Sequence, residues 1–288
     1  MVAAFDPTDA QAFDVVAATV VFRVVRGELC IGLPFAAGAV GGERARVLPT
    51  SAPDATSADG GLADAARNAA TRAVPAREIV RIASAGVRAT PRMSSGGGTG
   101  GGGTGGGKAS LVVVSWAIAR PVVAGPASTQ TLEADEVFVP LSSLPQFDET
   151  TRLVLACAFD AFLDATLADA LTRRLLPRHI LFHKTDGFTH RSPFETAFAS
   201  AREPVSEPDM PIFVGLLPDP FPLSSLRELY ERLLGAPLDR GNFRRQFHEI
   251  IALGPIKALP IFERGVPHRA GQLFTFDKPS WAKFAGGA

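Results

Sequence analysis

The stretch from Pro220 to Ile251, PFPLSSLRELYERLLGAPLDRGNFRRQFHEII, constrains this chain more than any other, because its apolar spacing fits two short amphipathic helices joined by a tight turn. Leu223, Leu226, Leu229, Tyr230, Leu233 and Leu234 recur every three or four residues and share one face of the first helix. Gly235 is a left-handed stop, and Pro237 prevents continuation. Asp239 is placed to cap the second helix, with Leu238 and Phe243 as a hydrophobic staple around that start. Phe243, Phe247, Ile250 and Ile251 then form the buried stripe. Arg240, Arg244 and His248, spaced by four, fall on a more exposed face, with Asn242 and Arg245 beside them. The pattern is a helix-turn-helix with a basic outer surface.

The C-terminal residues beyond it extend the pattern. Ala258 to Phe262 and Gln272 to Phe276 read as strands, and the ERGVPHRAG between them is a turn carrying Arg264, His268 and Arg269. A β-hairpin with a basic tip behind a helix-turn-helix is the layout of a winged helix, in which helix and wing cations meet phosphates or base edges. Arg240, Asn242, Arg244, Arg245, His248, Arg264, His268 and Arg269 are therefore the candidate DNA contacts. The alternative is a small helical domain whose arginines form a solvated face; cap, staple, basic stripe and wing in this order favour DNA.

Net charge is zero, so a nucleic-acid footprint has to be local; residues 211 to 288 hold ten Lys and Arg against seven Asp and Glu. The 288 residues leave room for two domains. Cys30 and Cys157 have no Cys or His at metal spacing and read as small buried apolar residues in a reducing compartment. No stretch approaches a membrane span, and MVAAFDPTDAQAF lacks a basic-then-apolar leader, so a soluble cytoplasmic protein is expected.

The first half mixes strands with a helix, which implies an α/β or α+β core. Phe13 to Val25 and Glu28 to Leu33 read as a hairpin turning at Arg26-Gly27, and Ile79 to Val87 and Leu111 to Ala119 as further strands. Leu62 to Val74 is an Ala-rich helix with Leu62, Ala65, Ala66, Ala69, Ala70 and Ala73 on one side. A long helix is expected over about 150–176, ended by Pro177. The glycine tract at 96–107 has too few side chains to pack and reads as a mobile loop, spanning about 94–108 with its flanks. Gly102 to Lys108 imitates a phosphate-binding loop, but Ala109 stands where the Mg²⁺-holding hydroxyl belongs and a strand follows instead of a helix. His179, His183 and His190 lie in 177–210 without a third ligand at convincing spacing; that segment reads as a linker, with a short helix near 194–201.

The C-terminal LRELYERLLGAPLDRGNFRRQF, with LFTF ending the wing, resembles the DNA-binding domain of the Nudix-related transcriptional regulators, the NrtR family. Element order extends the resemblance upstream: Leu48-Pro49 stands before the Nudix loop, LADAARNAATRAV in the Nudix helix, Thr90-Pro91-Arg92 at the family's Asp-Pro-Arg turn, and FVPLSSLP before the long helix. The fold this implies is α+β: a Nudix-like α/β/α sandwich at 1–176, a connection at 177–210 and a winged helix at 211–288. A working Nudix helix presents Arg-Glu-x-x-Glu-Glu to hold Mg²⁺. Here Asn68, Ala69, Ala70, Thr71, Arg72 and Ala73 occupy those positions, while Asp54, Asp59 and Asp64 leave a shifted register open. The resemblance implies a regulator that is not an enzyme and needs no cofactor. It implies a homodimer on an operator in double-stranded DNA, with ADP-ribose or a related NAD metabolite as nucleotide effector, and Arg92 and Trp116 as ligand candidates. A Nudix-type hydrolase of nucleoside diphosphate derivatives and a non-catalytic binding or scaffold protein are the alternatives.

Overall fold

The computed structural model describes residues 14–36, 45–54, 61–90, 110–121, 136–176, 210–263 and 270–286. Strands β1 (Asp14–Val25) and β2 (Glu28–Gly32) form the expected hairpin. Arg26 and Gly27 both have positive φ, 50° and 81°, which matches the twist of a two-residue turn to that of its strands. A short β3 (Thr50–Ser51) pairs with β1; β4 (Ile79–Thr90) and β5 (Ser110–Ala119) run antiparallel, and β6 (Phe138–Pro140) closes the far edge. The order is β4-β5-β1-β2-β6, with β1 and β5 parallel so that Val20 stands beside Trp116.

Alternation along the central strands decides what lies on each face of this sheet. Ala18, Val20 and Phe22 of β1, with Val114, Trp116 and Ile118 of β5, belong to the main apolar core. Helix α2 (Glu149–Ala168) covers that side: Phe162 stacks on Phe22 at 4.3 Å between ring centroids and meets Trp116 edge-on at 5.5 Å. The opposite side carries α1 (Leu62–Ala70). Its Ala65, Ala66, Ala69 and Ala70 are buried, and Thr19 of β1 donates a 2.8 Å hydrogen bond to the Ala66 carbonyl. Small side chains on helix and sheet, Ala117 and Ala119 among them, allow this close approach. Arg23 on the same side is buried, 3.4 Å from Glu78 and over the Phe138 ring at 5.0 Å. Helix, sheet and helix make the expected α/β/α sandwich.

Two expectations for these helices need correction. Leu62 is exposed, because it begins the helix at Gly61 before the stripe reaches the sheet; the helix ends at Ala70, with 71–74 a hydrogen-bonded turn. The long helix expected over 150–176 breaks at Asp169, whose backbone is extended, and restarts as α3 (Ala170–Leu175). The reason is local. Asp148 accepts hydrogen bonds from the Thr151 amide (2.9 Å) and hydroxyl (2.6 Å) at the start of α2, and Asp169 repeats them with the Thr172 amide (2.8 Å) and hydroxyl (2.6 Å). The Asp-x-x-Thr spacing at 169–172 is thus a second N-cap inside an apolar pattern that otherwise runs on.

The C-terminal module begins with α4 (Phe213–Leu216) and β7 (Phe221–Pro222), followed by α5 (Leu223–Leu234), α6 (Arg240–Leu253), β8 (Ile256–Phe262) and β9 (Gln272–Phe276). The sheet order is β7-β9-β8, and α7 (Lys278–Gly286) packs Trp281 beneath it. Neither α4, β7 nor α7 was expected from the sequence. The two modules share one apolar core that runs from Phe22, Trp116 and Phe162 through Leu171, Leu175, Phe213 and Leu216 to Leu226, Phe247 and Phe274. Gly215 of α4 sits so close to Ile118 and Val80 of the first sheet that a Cβ there would lie 3.0 Å from the isoleucine.

Candidate nucleic-acid interface

The turn between α5 and α6 is built by three residues. Gly235 ends α5 in the left-handed conformation (φ 64°), as its position in the sequence requires. Asp239 caps α6 by accepting from the Asn242 amide at 2.8 Å. Glu231, which was not expected to take part, accepts from the Leu238 amide at 2.9 Å and from Arg227 Nη1 at 2.6 Å. A carboxylate one turn before a left-handed glycine, with an arginine four residues upstream, is the signal that marks it. Its effect is to tie the end of α5 to the approach of α6 and set the angle between them.

Helix α6 buries Phe243, Phe247 and Ile250, while Ile251 is only half-buried. Phe247 is fully enclosed and meets the Phe274 ring edge-on at 4.8 Å, which pins α6 to β9. This anchoring turns the other side outward. Arg240, Asn242, Arg244, Arg245 and His248 are all exposed, as the spacing by four requires. Gln246 is half-buried; with its amide nitrogen turned to satisfy its neighbours, it donates to the Arg174 carbonyl of α3 at 3.2 Å. Exposed cations on a rigid helix are suited to phosphate oxygens or guanine edges. On the wing, Ile261 and Phe262 are exposed at its open end; the tip residues Arg264, His268 and Arg269 lie outside the described residues.

Helix, strand, two helices and a hairpin, in the order α4, β7, α5, α6, β8, β9, make a complete winged helix. The family model for the NrtR DNA-binding winged helix domain matches residues 213–276, from the first residue of α4 to the last of β9. This module is similar to the NrtR winged helix. Over the whole chain, Shewanella oneidensis NrtR complexed with a 27mer DNA aligns at 15% identity with a TM-score of 0.51, covering 92% of this chain and 94% of that one. A second structure of Shewanella oneidensis NrtR gives 16% identity, the same coverages and a TM-score of 0.47. A MutT/nudix family protein from Enterococcus faecalis gives 12% identity over 94% of this chain and 90% of its own, with a TM-score of 0.43. The DNA-complexed NrtR shares the fold across both modules, sandwich and winged helix together. No curated protein sequence matches the chain.

Upstream of the winged helix, α1 holds the first part of the LADAARNAATRAV segment that the sequence resemblance aligns with a Nudix helix. Its exposed residues include Asp64, Arg67 and Asn68, with Thr71 and Arg72 in the following turn; Ala69 and Ala70 are wholly buried against the sheet. Among the described residues no group of three His, Cys, Asp or Glu is placed to hold a metal. Cys30 and Cys157 are both buried, as expected. Trp116 is a correction: its side chain is 1% exposed, with Phe162 against its edge and the Arg81 guanidinium over its ring at 5.3 Å, so it offers no open face for stacking. The inward side of β5 forces this, since every second residue there faces α2. Arg92, the glycine tract, Asp59 and the histidines at 179, 183 and 190 lie outside the described residues. No helix among the described residues is long and apolar enough to cross a membrane.

Proposed function

We propose that the chain is a cytoplasmic DNA-binding transcriptional regulator, acting as a homodimer on an operator, whose Nudix-like domain senses ADP-ribose or a related NAD metabolite instead of hydrolysing it. The observation that carries this is the outward face of α6: Arg240, Asn242, Arg244, Arg245 and His248 stand exposed on one helix of a module similar to the NrtR winged helix. A ligand in the upstream domain alters operator affinity only if it binds one arrangement of the recognition helices better than another, so sensing and DNA release are reciprocal.

The non-enzymatic part of the proposal rests on α1 and the turn after it. Asn68, Ala69, Ala70, Thr71, Arg72 and Ala73 supply no carboxylate where Nudix chemistry needs several, and an arginine among them repels a divalent cation. Arg92 remains the candidate phosphate clamp, through its bidentate geometry.

The test is a gel-shift titration of the full chain with duplex from its own promoter region and with random duplex, at several salt concentrations. The expected result is preference for the promoter duplex and affinity that falls steeply with salt, as several cations release counterions. Equal affinity for both duplexes at moderate salt sinks the regulator reading.

A further inference from the structure

Most of the interface between the two modules is apolar, and apolar contacts set no direction; at its edge the half-buried Gln246 of α6 donates to the Arg174 carbonyl of α3. Leu171, Leu175, Leu176, Ile212, Phe213 and Leu216 all lie in the shared core. A buried chain of polar side chains crosses it. The Thr172 hydroxyl, at the first turn of α3, stands 2.6 Å from Asp169 Oδ2 and 2.7 Å from the Tyr230 hydroxyl of α5. Thr172 and Tyr230 are both buried, so neither hydroxyl has bulk water to fall back on.

Donor counting fixes the order of these bonds. An ionised Asp169 only accepts, so the single Thr172 hydroxyl hydrogen goes to it, and Tyr230 must donate to Thr172. Burial disfavours charge on Asp169, and the two Thr172 hydrogen bonds, with the positive charge of nearby Arg81, partly offset that cost. Each end of the chain touches something of consequence. Arg81 belongs to β4 and lies over Trp116 in the centre of the sandwich; the Tyr230 ring packs at 6.3 Å against Phe243, in the first turn of the recognition helix.

We propose that the Asp169–Thr172–Tyr230 chain is the register lock between the modules, holding α6 at one orientation to the Nudix-like sheet, so that displacing the first turn of α3 re-aims the recognition helix. The apolar part of the interface tolerates sliding, and the half-buried Gln246 amide can exchange its partner for water. The chain does not, because a shift of one hydrogen-bond length breaks the Thr172–Tyr230 bond and leaves the buried Tyr230 hydroxyl without its acceptor, while Thr172 still donates to Asp169. The break in the long helix supplies its first member: the Asp169 carboxylate that caps α3 also takes the Thr172 hydroxyl hydrogen. Its regulatory consequence rests on the regulator reading; its structural content does not.

The experiment uses the full chain with spin labels at Arg67→Cys in α1 and Ala252→Cys in α6, both exposed positions, while native Cys30 and Cys157 are buried. The labelled parent, diluted with an excess of unlabelled chain so that only pairs within one protomer are read, should give one narrow distance distribution. Tyr230→Phe and Thr172→Val should each make it about twofold broader or shift it, and the double variant should match Thr172→Val alone, because that substitution already removes the bond Tyr230→Phe removes as well as the one to Asp169. Thr172→Ser keeps the hydroxyl and should restore the parent distribution. Both single variants superimposing on the parent overturns the lock, as does Thr172→Ser behaving like Thr172→Val, since packing rather than the hydroxyl would then be responsible. A parent that shows no duplex preference sinks the regulator reading and leaves these distances to decide the lock by themselves.

Discussion

Helices α1 and α6 each pack one face against their module and turn the other outward, and they do so in opposite ways. Helix α1 is nine residues long and packs through alanines, with no side-chain cap at Gly61; its outward face and the turn after it mix both signs of charge with uncharged polar groups, in Asp64, Arg67, Asn68, Thr71 and Arg72. Helix α6 is fourteen residues long, capped by Asp239 and anchored by Phe243, Phe247 and Ile250, and its outward face is basic. Small anchors bring a helix close to its sheet but leave little to hold it; large aromatic anchors hold it rigidly and allow its other face to carry charge. The directed chemistry of this chain therefore lies in the C-terminal module.

The contrast between the two helices is tested most severely at Phe247. Truncation to Ala should cost roughly 3 to 5 kcal/mol, because a wholly buried ring leaves a cavity between α6 and β9; urea unfolding of the full chain measures it, and a loss below about 1 kcal/mol would mean that α6 is not anchored there. Next in size, replacing Arg244 and Arg245 together by Ala should weaken promoter binding by about 100-fold, roughly 1.4 kcal/mol per arginine, and flatten the salt dependence by about two charges without lowering stability. An unchanged affinity in a gel shift rejects α6 as the reading helix.

On the other side, Ala69→Leu should destabilise by about 1 to 3 kcal/mol, since α1 has no room against the sheet for a larger side chain. Asn68→Ala, on the exposed face, should leave unfolding within about 0.5 kcal/mol. Equal effects from the two would show that α1 has no preferred face.

The smallest effect is the titration of the two matching caps. Hydrogen bonds from Thr151 hold the Asp148 carboxyl below its ordinary range, so its contribution is present above that range and is lost as pH falls through the lowered value. Burial raises Asp169, so its contribution is intact in acid and is lost as pH rises through the raised value. Amide hydrogen exchange across the carboxylate range should therefore show protection at Thr151 falling with acid while that at Thr172 is maintained or rises. Parallel behaviour at both amides would contradict the difference in burial.

Much of the winged helix was legible because its signals are local and repeated. Gly235, Asp239 and the stripe through Phe243 and Phe247 each act within a few residues, and all agree on the same two helices. The hairpin at Arg26-Gly27 and the strand at Gln272–Phe276 were legible for the same reason. Elements too short to show a period, such as α4 and β7, were not. Trp116 was legible as a strand residue but not as a buried one, since which face of β5 meets α2 depends on a helix that begins 33 residues later.

The caps, turns, apolar stripes and basic outer face of α6 were set by sequence alone, because each depends on neighbours within one or two turns of chain. Tertiary packing was needed to show that Thr172, just after the break at Asp169, meets Tyr230, 58 residues away, and that one core joins sheet to winged helix. Apolar periodicity states that a face is buried. It does not state against what, because hydrophobic burial is non-directional and the partner is chosen by the whole packing.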